Sequence, residues 1–227
     1  MARLLLASGG PTYAHDHAAC AKALSEILTG AGHEIVATTR HFDEFPDALA
    51  DTRPDAVVMH ALWWRMLADR YDDLRERWAY TTTPELRASL TDYVSAGGGL
   101  VALHTATICF DDWAGWADIV GAQWNWDRSF HPPLGEASVV ITDRNHQITA
   151  GIDDFDTIDE IYANLDLRPG IEPLAFGRHT DGSSHPILWT HSFGAGHVVQ
   201  FGLGHYPPSL KHPTTAEMLR RCVAWTL

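Results

Sequence analysis

The stretch SAGGGLVALHTATICFDDW, residues 95–113, carries three consecutive glycines, then four apolar residues from Leu100 to Leu103, then His104. The glycines close a helical pattern. An unbroken apolar run of this length suits a strand covered on both faces, the habit of parallel sheets in α/β proteins. Ligands bind outside the carboxyl ends of such strands, so His104 and the polar residues Thr105, Thr107, Asp111 and Asp112 stand where a site would form. A histidine there can equally be a strand cap satisfied by one hydrogen bond.

Working upstream, Thr83-Pro84-Glu85 reads as a helix start, with an N-cap, a proline at the first helical position and an acid in the first turn. Its apolar face of Leu86, Leu90, Tyr93 and Val94 leads to Gly97. Residues 3–7 form an apolar run ending in Ser8-Gly9-Gly10. From Asp16, a candidate N-cap, the spacing of Ala19, Ala23, Leu24, Ile27 and Leu28 is helical as far as Gly30. Residues 34–39 and 56–59 read as further strands, and residues 112–120 as a short helix ended by Gly121. Such alternation predicts a doubly wound, mostly parallel sheet. From Ala122 the texture changes. Residues 123–133 are an aromatic loop, and strands are expected at 137–142, 154–158, 173–176, 186–190 and 197–201. The last two are joined by Ser192-Phe193-Gly194-Ala195-Gly196 as a hairpin, giving the C-terminal half an antiparallel portion. Met218, Leu219, Cys222, Val223 and Trp225 mark a closing helix.

The 227 residues are expected to form one domain, and the formal charge of -13, with no basic cluster, disfavours nucleic acid and anionic membrane surfaces. No run approaches the length of a membrane span. Three distant cysteines without metal spacing fit reduced thiols and a cytoplasmic protein. Nine tryptophans and fourteen histidines beside only sixteen lysines and arginines are the informative excess. Such side chains, apolar in body and polar at one edge, suit the lining of a pocket for polar ring-shaped ligands. Exposed aromatics leave room for a homo-oligomer.

Four histidines follow four apolar runs or their turns: His15, His60, His104 and His205. If the strands run parallel, their side chains converge on one rim. With His131 in the aromatic loop and Asp159-Glu160 ending a strand, that rim offers imidazole nitrogens and carboxylate oxygens. This is the ligand set of a divalent ion such as zinc. The same groups serve metal-free acid/base catalysis, and a purely structural rim is the third reading. The apex of the strand turn, where a nucleophile elbow would carry serine or cysteine, is His104, so covalent acyl transfer is disfavoured.

Gly97-Gly98-Gly99 through His104, then Asp112-Trp113, His131-Pro132, residues 146–151, Asp159-Glu160 with Tyr162, His185-Pro186-Ile187 with Trp189, and Gly202-Leu203-Gly204-His205 resemble the ThuA-like (trehalose utilisation) family over nearly the whole chain. Gln147 departs from the proline usual there, and the loop 123–130 is aromatic in its own way. The resemblance implies a flavodoxin-like sheet related to class I glutamine amidotransferases, without their cysteine nucleophile. It also implies a role in disaccharide or keto-sugar catabolism, often beside a nicotinamide-dependent sugar dehydrogenase. Rim and resemblance together make His104, Glu160, His205 and Asp112 the candidates for acid/base or metal-assisted catalysis, the alternative being a non-catalytic sugar-binding or dehydrogenase-partner subunit that uses the same pocket. They assign a sugar pocket to His15, His60, Trp64, Trp113, His131, Asp159 and Tyr162.

Overall fold

The computed structural model describes residues 1–227. Its elements, in chain order, begin with β1 (Arg3–Ala7), α1 (His17–Gly30), β2 (Glu34–Thr39), α2 (Phe45–Thr52), β3 (Ala56–Met59), α3 (Asp72–Trp78), α4 (Pro84–Ser95), β4 (Gly99–Leu103) and α5 (Ala114–Val120). They continue with β5 (Ala122–Gln123), β6 (Gly135–Ile141), β7 (Phe155–Asp159), β8 (Asp166–Leu167), β9 (Pro173–Arg178), β10 (Ser184–Phe193), β11 (Gly196–Phe201), α6 (Pro207–Lys211) and α7 (Pro213–Thr226). The predicted helix starts are present as chemistry. Asp16 accepts from the Ala19 N–H at 2.9 Å and Thr83 from the Leu86 N–H at 3.1 Å, each satisfying a first-turn donor. At the other end of α4, Gly97 has φ +113°, a conformation open to glycine at little cost. Helix α2 was not expected between β2 and β3. A parallel pair needs a crossover, and only Phe45 and Leu49 of this short helix are buried, too few to make a periodic signal.

One sheet of nine strands, ordered β2-β1-β3-β4-β11-β10-β9-β6-β7, runs through the molecule. The β2-β1-β3-β4-β11 block is parallel throughout, the flavodoxin-like order expected. Beyond it every pairing is antiparallel, from the β10–β11 hairpin outward. Alternate residues of β1, β3, β4 and β11 serve two cores. Leu4 and Leu6 face α1 and α7, whereas Leu5 and Ala7 face α2, α4 and α5. All five residues of β4 are buried, and removing such side chains from water stabilises by roughly 1.5–3 kcal/mol for each Val or Leu. No helix is long and apolar enough to cross a membrane.

Topology positions the site. The carboxyl ends of β1, β3, β4 and β11 share one edge because those strands are parallel. The path from β11 to β7 crosses four antiparallel pairings, and an even number of reversals returns the original direction. Thus β7 also delivers its carboxyl end, Asp159, to that edge. Four strand spacings would separate β7 from β11 by about 19 Å in a flat sheet. Asp159 nevertheless lies 2.8 Å from the Gly204 N–H just beyond β11, so the coiled sheet and the residues past both strand ends bring the two together.

Candidate functional site

His104 occupies the end of β4 with φ +42°, a left-handed conformation that costs a side-chain-bearing residue of order 1–3 kcal/mol. It is fully buried, and its Nδ1 stands 3.0 Å from the Gly202 carbonyl oxygen. A carbonyl there requires Nδ1 to carry the proton, which leaves Nε2 as a free lone pair pointing to the rim. That lone pair meets His205 Nδ1 at 3.3 Å and Glu160 Oε2 at 3.8 Å, and His205 Nδ1 is 3.2 Å from the same Glu160 oxygen. His15, whose ring centroid is 4.5 Å from that of His205 and 5.3 Å from that of His104, closes the group. Candidate donor atoms of His15, His104, Glu160 and His205 all lie within 4.8 Å of one another.

The electrostatics follow from crowding. Burial alone would raise the Glu160 carboxyl, but the imidazoles of His104, His131 and His205 hold it well below the usual carboxylate range. His131 donates from Nδ1 to Glu160 Oε1 at 2.9 Å. Burial depresses its basicity, yet the carboxylate outweighs burial and the ring stays raised above the ordinary histidine value. Burial and four neighbouring imidazoles keep His15 uncharged, and neither of its ring nitrogens has a hydrogen-bond partner. Behind this group lie His60, lowered to about 3 by burial, and His17, lowered to about 4 by burial. His60 Nε2 bonds the Gly204 carbonyl oxygen at 2.9 Å, so His60 supports the rim from beneath rather than facing the cavity.

Asp159 is placed differently from the substrate contact expected. Its carboxylate is buried and turned inward, accepting from the N–H groups of Glu160 at 2.8 Å, Gly204 at 2.8 Å and His205 at 3.1 Å, and from the Ser209 hydroxyl. It therefore straps two residues of the rim, Glu160 and His205, in place. Asp112 and Trp113 also require correction. After β4 the chain makes a tight helical turn over His104–Thr107, and residues 111–113 leave on the far side. Asp112 there accepts from Thr82 and pairs with Arg87 at 2.7 Å, while Trp113 lies 6.2 Å from Trp116 in a separate cavity. Neither reaches the histidine cluster.

A cavity of about 330 Å³, at the lower end of small-molecule sites, opens over the group. Trp64, Tyr162 and His131 line it as expected positions would, together with Trp124, Trp126 and Tyr71. Trp64 stacks on Trp126 at 6.2 Å, and the Tyr162 ring is 4.5 Å from that of His104. Sequence reasoning missed His17, Arg70 and Ser209. The repeat His15-Asp16-His17 was a signal for the first. Nothing local marks the other two, which the fold alone brings in.

Such an arrangement can do two things: bind a divalent cation through three nitrogens and one oxygen, or move protons between Glu160 and its imidazoles. A divalent ion fits the residues present. Ligands at 2.0–2.1 Å in a tetrahedron lie about 3.3 Å apart. The three edges among His104, His205 and Glu160 run from 3.2 to 3.8 Å, and His15 supplies the unpartnered fourth donor.

The model of the ThuA family, described as trehalose utilisation, matches residues 3–226. A ThuA-like protein from Parabacteroides merdae ATCC 43184 is similar in structure, with TM-score 0.79 and 17% identity over 99% of this chain and 89% of that one. A cytoplasmic protein of Salmonella typhimurium LT2 has TM-score 0.67 and 15% identity, covering 99% of each chain. The β-galactosidase of Rahnella sp. R3 contains the same fold as a part of itself, with TM-score 0.65 and 13% identity over 99% of this chain and 31% of that one. At these identities the likeness is one of fold. No curated protein matches the chain.

Proposed function

This chain belongs to the ThuA family, trehalose utilisation, and from that premise we propose an enzyme of carbohydrate catabolism acting on a disaccharide or keto-sugar at the His15–His104–Glu160–His205 centre. The observation that carries the reading is the geometry of that centre: four donor atoms within 4.8 Å, one of them on a buried imidazole with no partner of its own. Leaving a buried polar atom unpaired costs about 1–3 kcal/mol, a cost that a ligand arriving at His15 would offset.

The four residues would hold a divalent ion such as zinc, which supplies Lewis-acid polarisation of a sugar carbonyl or hydroxyl oxygen when bound. His104 Nδ1–H on the Gly202 carbonyl fixes the tautomer that points Nε2 inward, the usual outer support of a metal-bound histidine. His131 keeps a proton at Nδ1 against Glu160 Oε1 and is 40% exposed on its side chain, so it is the group placed to give a proton to bound sugar. Trp64, Trp124 and Trp126 offer flat apolar faces to the ring, and Tyr162 keeps its proton because burial and the Glu160 charge hold its pKa well up. No serine or cysteine nucleophile is involved. Cys109, at the start of the loop after this centre, is buried and pushed up to about 12. A cytoplasmic setting, beside a nicotinamide-dependent dehydrogenase that makes the oxidised sugar, agrees with three free cysteines.

Elemental analysis of the purified protein, with an NMR assay of 3-keto-disaccharide consumption, tests the reading. One divalent ion per chain and turnover abolished in His104→Ala are expected. Turnover that survives His104→Ala, or a protein that takes up no divalent ion, would overturn it. Sugar binding without turnover would make the chain a sugar-binding subunit instead.

A further inference from the structure

Arg70 is the one arginine or lysine that lines the cavity over the histidine–carboxylate centre. Several arginines of the chain are engaged with acids, among them Arg65 with Asp111, Arg87 with Asp112 and Arg168 with Asp118; Arg77, like Arg70, has no acidic partner and lies over a ring, that of Trp78, but it is not at this cavity. Arg70 has neither an ion pair nor a side-chain hydrogen bond, although aspartates flank it in sequence. Of these, Asp72 is taken by Arg75 at 2.7 Å. Instead the Arg70 guanidinium lies over the Tyr71 ring, 4.8 Å from its centroid, and Tyr71 packs edge-on at 5.4 Å against buried Trp64. A guanidinium stacked by its face keeps its in-plane N–H donors free, in the fork that matches a carboxylate.

In a chain of formal charge -13, anionic ligands are repelled from most of the surface. A neutral sugar gains little from one unpaired cation at the cavity wall, whereas an anionic sugar needs one. Resting on the reading of this centre as a carbohydrate site, we propose that Arg70 is a specificity-determining residue that selects sugars bearing a carboxylate, a uronate or aldonate unit, through a bidentate ion pair. A single guanidinium matches the single charge and planar fork of a carboxylate. A phosphate monoester, with up to two charges and three terminal oxygens, would call for more donors than this wall supplies.

Calorimetric titration of the purified protein with matched pairs, D-galacturonate against D-galactose and cellobionate against cellobiose, tests this, with glucose 6-phosphate as a third arm. The acid of each pair is expected to bind about ten-fold tighter than its neutral partner at low salt, with the gap narrowing as salt rises. Arg70→Ala should erase the gap within each pair, and Arg70→Lys should keep part of it, since charge survives but the fork does not. Arg70 is exposed and unbonded, so these variants fold. Equal affinity within the pairs, a gap that survives Arg70→Ala, or tighter binding of glucose 6-phosphate would overturn the assignment. If neutral sugars bind and acids do no better, only the role of Arg70 falls; if no sugar binds, the carbohydrate reading falls with it.

Discussion

Asp159→Asn is the sharpest perturbation available, because it changes no volume and reverses one hydrogen-bonding group. In the native chain Oδ1 accepts from the Glu160 and His205 N–H groups, and Oδ2 from the Gly204 N–H and the Ser209 hydroxyl. Asparagine can keep its oxygen on the first pair, but its NH2 then faces the Gly204 N–H, donor against donor. One buried backbone donor is left unpaired at about 1–3 kcal/mol, and the surviving bonds lose their charge assistance. A loss of about 3 kcal/mol lowers the melting temperature of a domain this size by roughly 6–12 °C. The displaced groups are the backbones that carry Glu160 and His205, so affinity for zinc should fall about 10–100-fold, the usual effect of loosening a support behind a metal ligand. Thermal melts and zinc titration against a competing chelator read both quantities. Wild-type zinc affinity in a variant destabilised as expected would show that the strap stabilises the fold without positioning the centre. Unchanged stability as well would refute the hydrogen-bond argument itself.

Three further outcomes are expected. His15→Ala should lose most bound divalent ion in elemental analysis while the metal-free protein melts no more than a few degrees lower, because the deleted imidazole has no hydrogen bonds to forfeit; full metal content would remove His15 from the ligand set. Stability of the metal-free protein should fall as pH drops below about 6.5, since unfolded His17 and His60 take up protons there that the folded chain refuses until about pH 4 and about pH 3. Each contributes up to about 1.4 kcal/mol per pH unit, and the depressed Glu160 adds a loss in the same direction at still lower pH, whereas the raised His131 works oppositely above neutrality. Urea midpoints that stay flat between pH 7 and pH 5 would contradict the buried neutral pair. Asp112→Asn should destabilise by about 1–3 kcal/mol through Thr82 and Arg87 and leave metal content and turnover unchanged; a selective loss of turnover would return Asp112 to the reaction.

The parallel half of the fold was legible because each of its elements announces itself locally. The buried run of β4, the Asp16 and Thr83 caps and the positive-φ glycines are set by residues within a few positions of one another. Helix α2 was not, since two buried side chains make no period. His15 and His104 could be placed for the same reason, each following a strand of the alternating half; the strand before His205 belongs to a hairpin, whose local pattern leaves its direction open. Asp112 and Trp113 mark the limit of that logic: nearness to His104 in sequence is not nearness in space, because the tight turn over His104–Thr107 carries them off.

The acidic member of the centre is the harder case. Glu160 follows β7, at the far margin of the sheet from β4, and no local pattern says that four successive antiparallel pairings restore its direction. Even with the direction restored, a flat sheet would leave Glu160 too far away to touch His104. What closes the distance is Asp159, which turns inward and takes hold of the Gly204 and His205 amides beyond β11. An adjacent pair of acids thus divides its labour, one residue binding backbone so that the next can face the histidines. Side-chain type alone could not assign those roles, because both are carboxylates and only the pleat of β7 decides which of them points in. The antiparallel half of the sheet is therefore part of the centre's construction: without it the parallel rim supplies imidazoles and no anion to draw a cation among them.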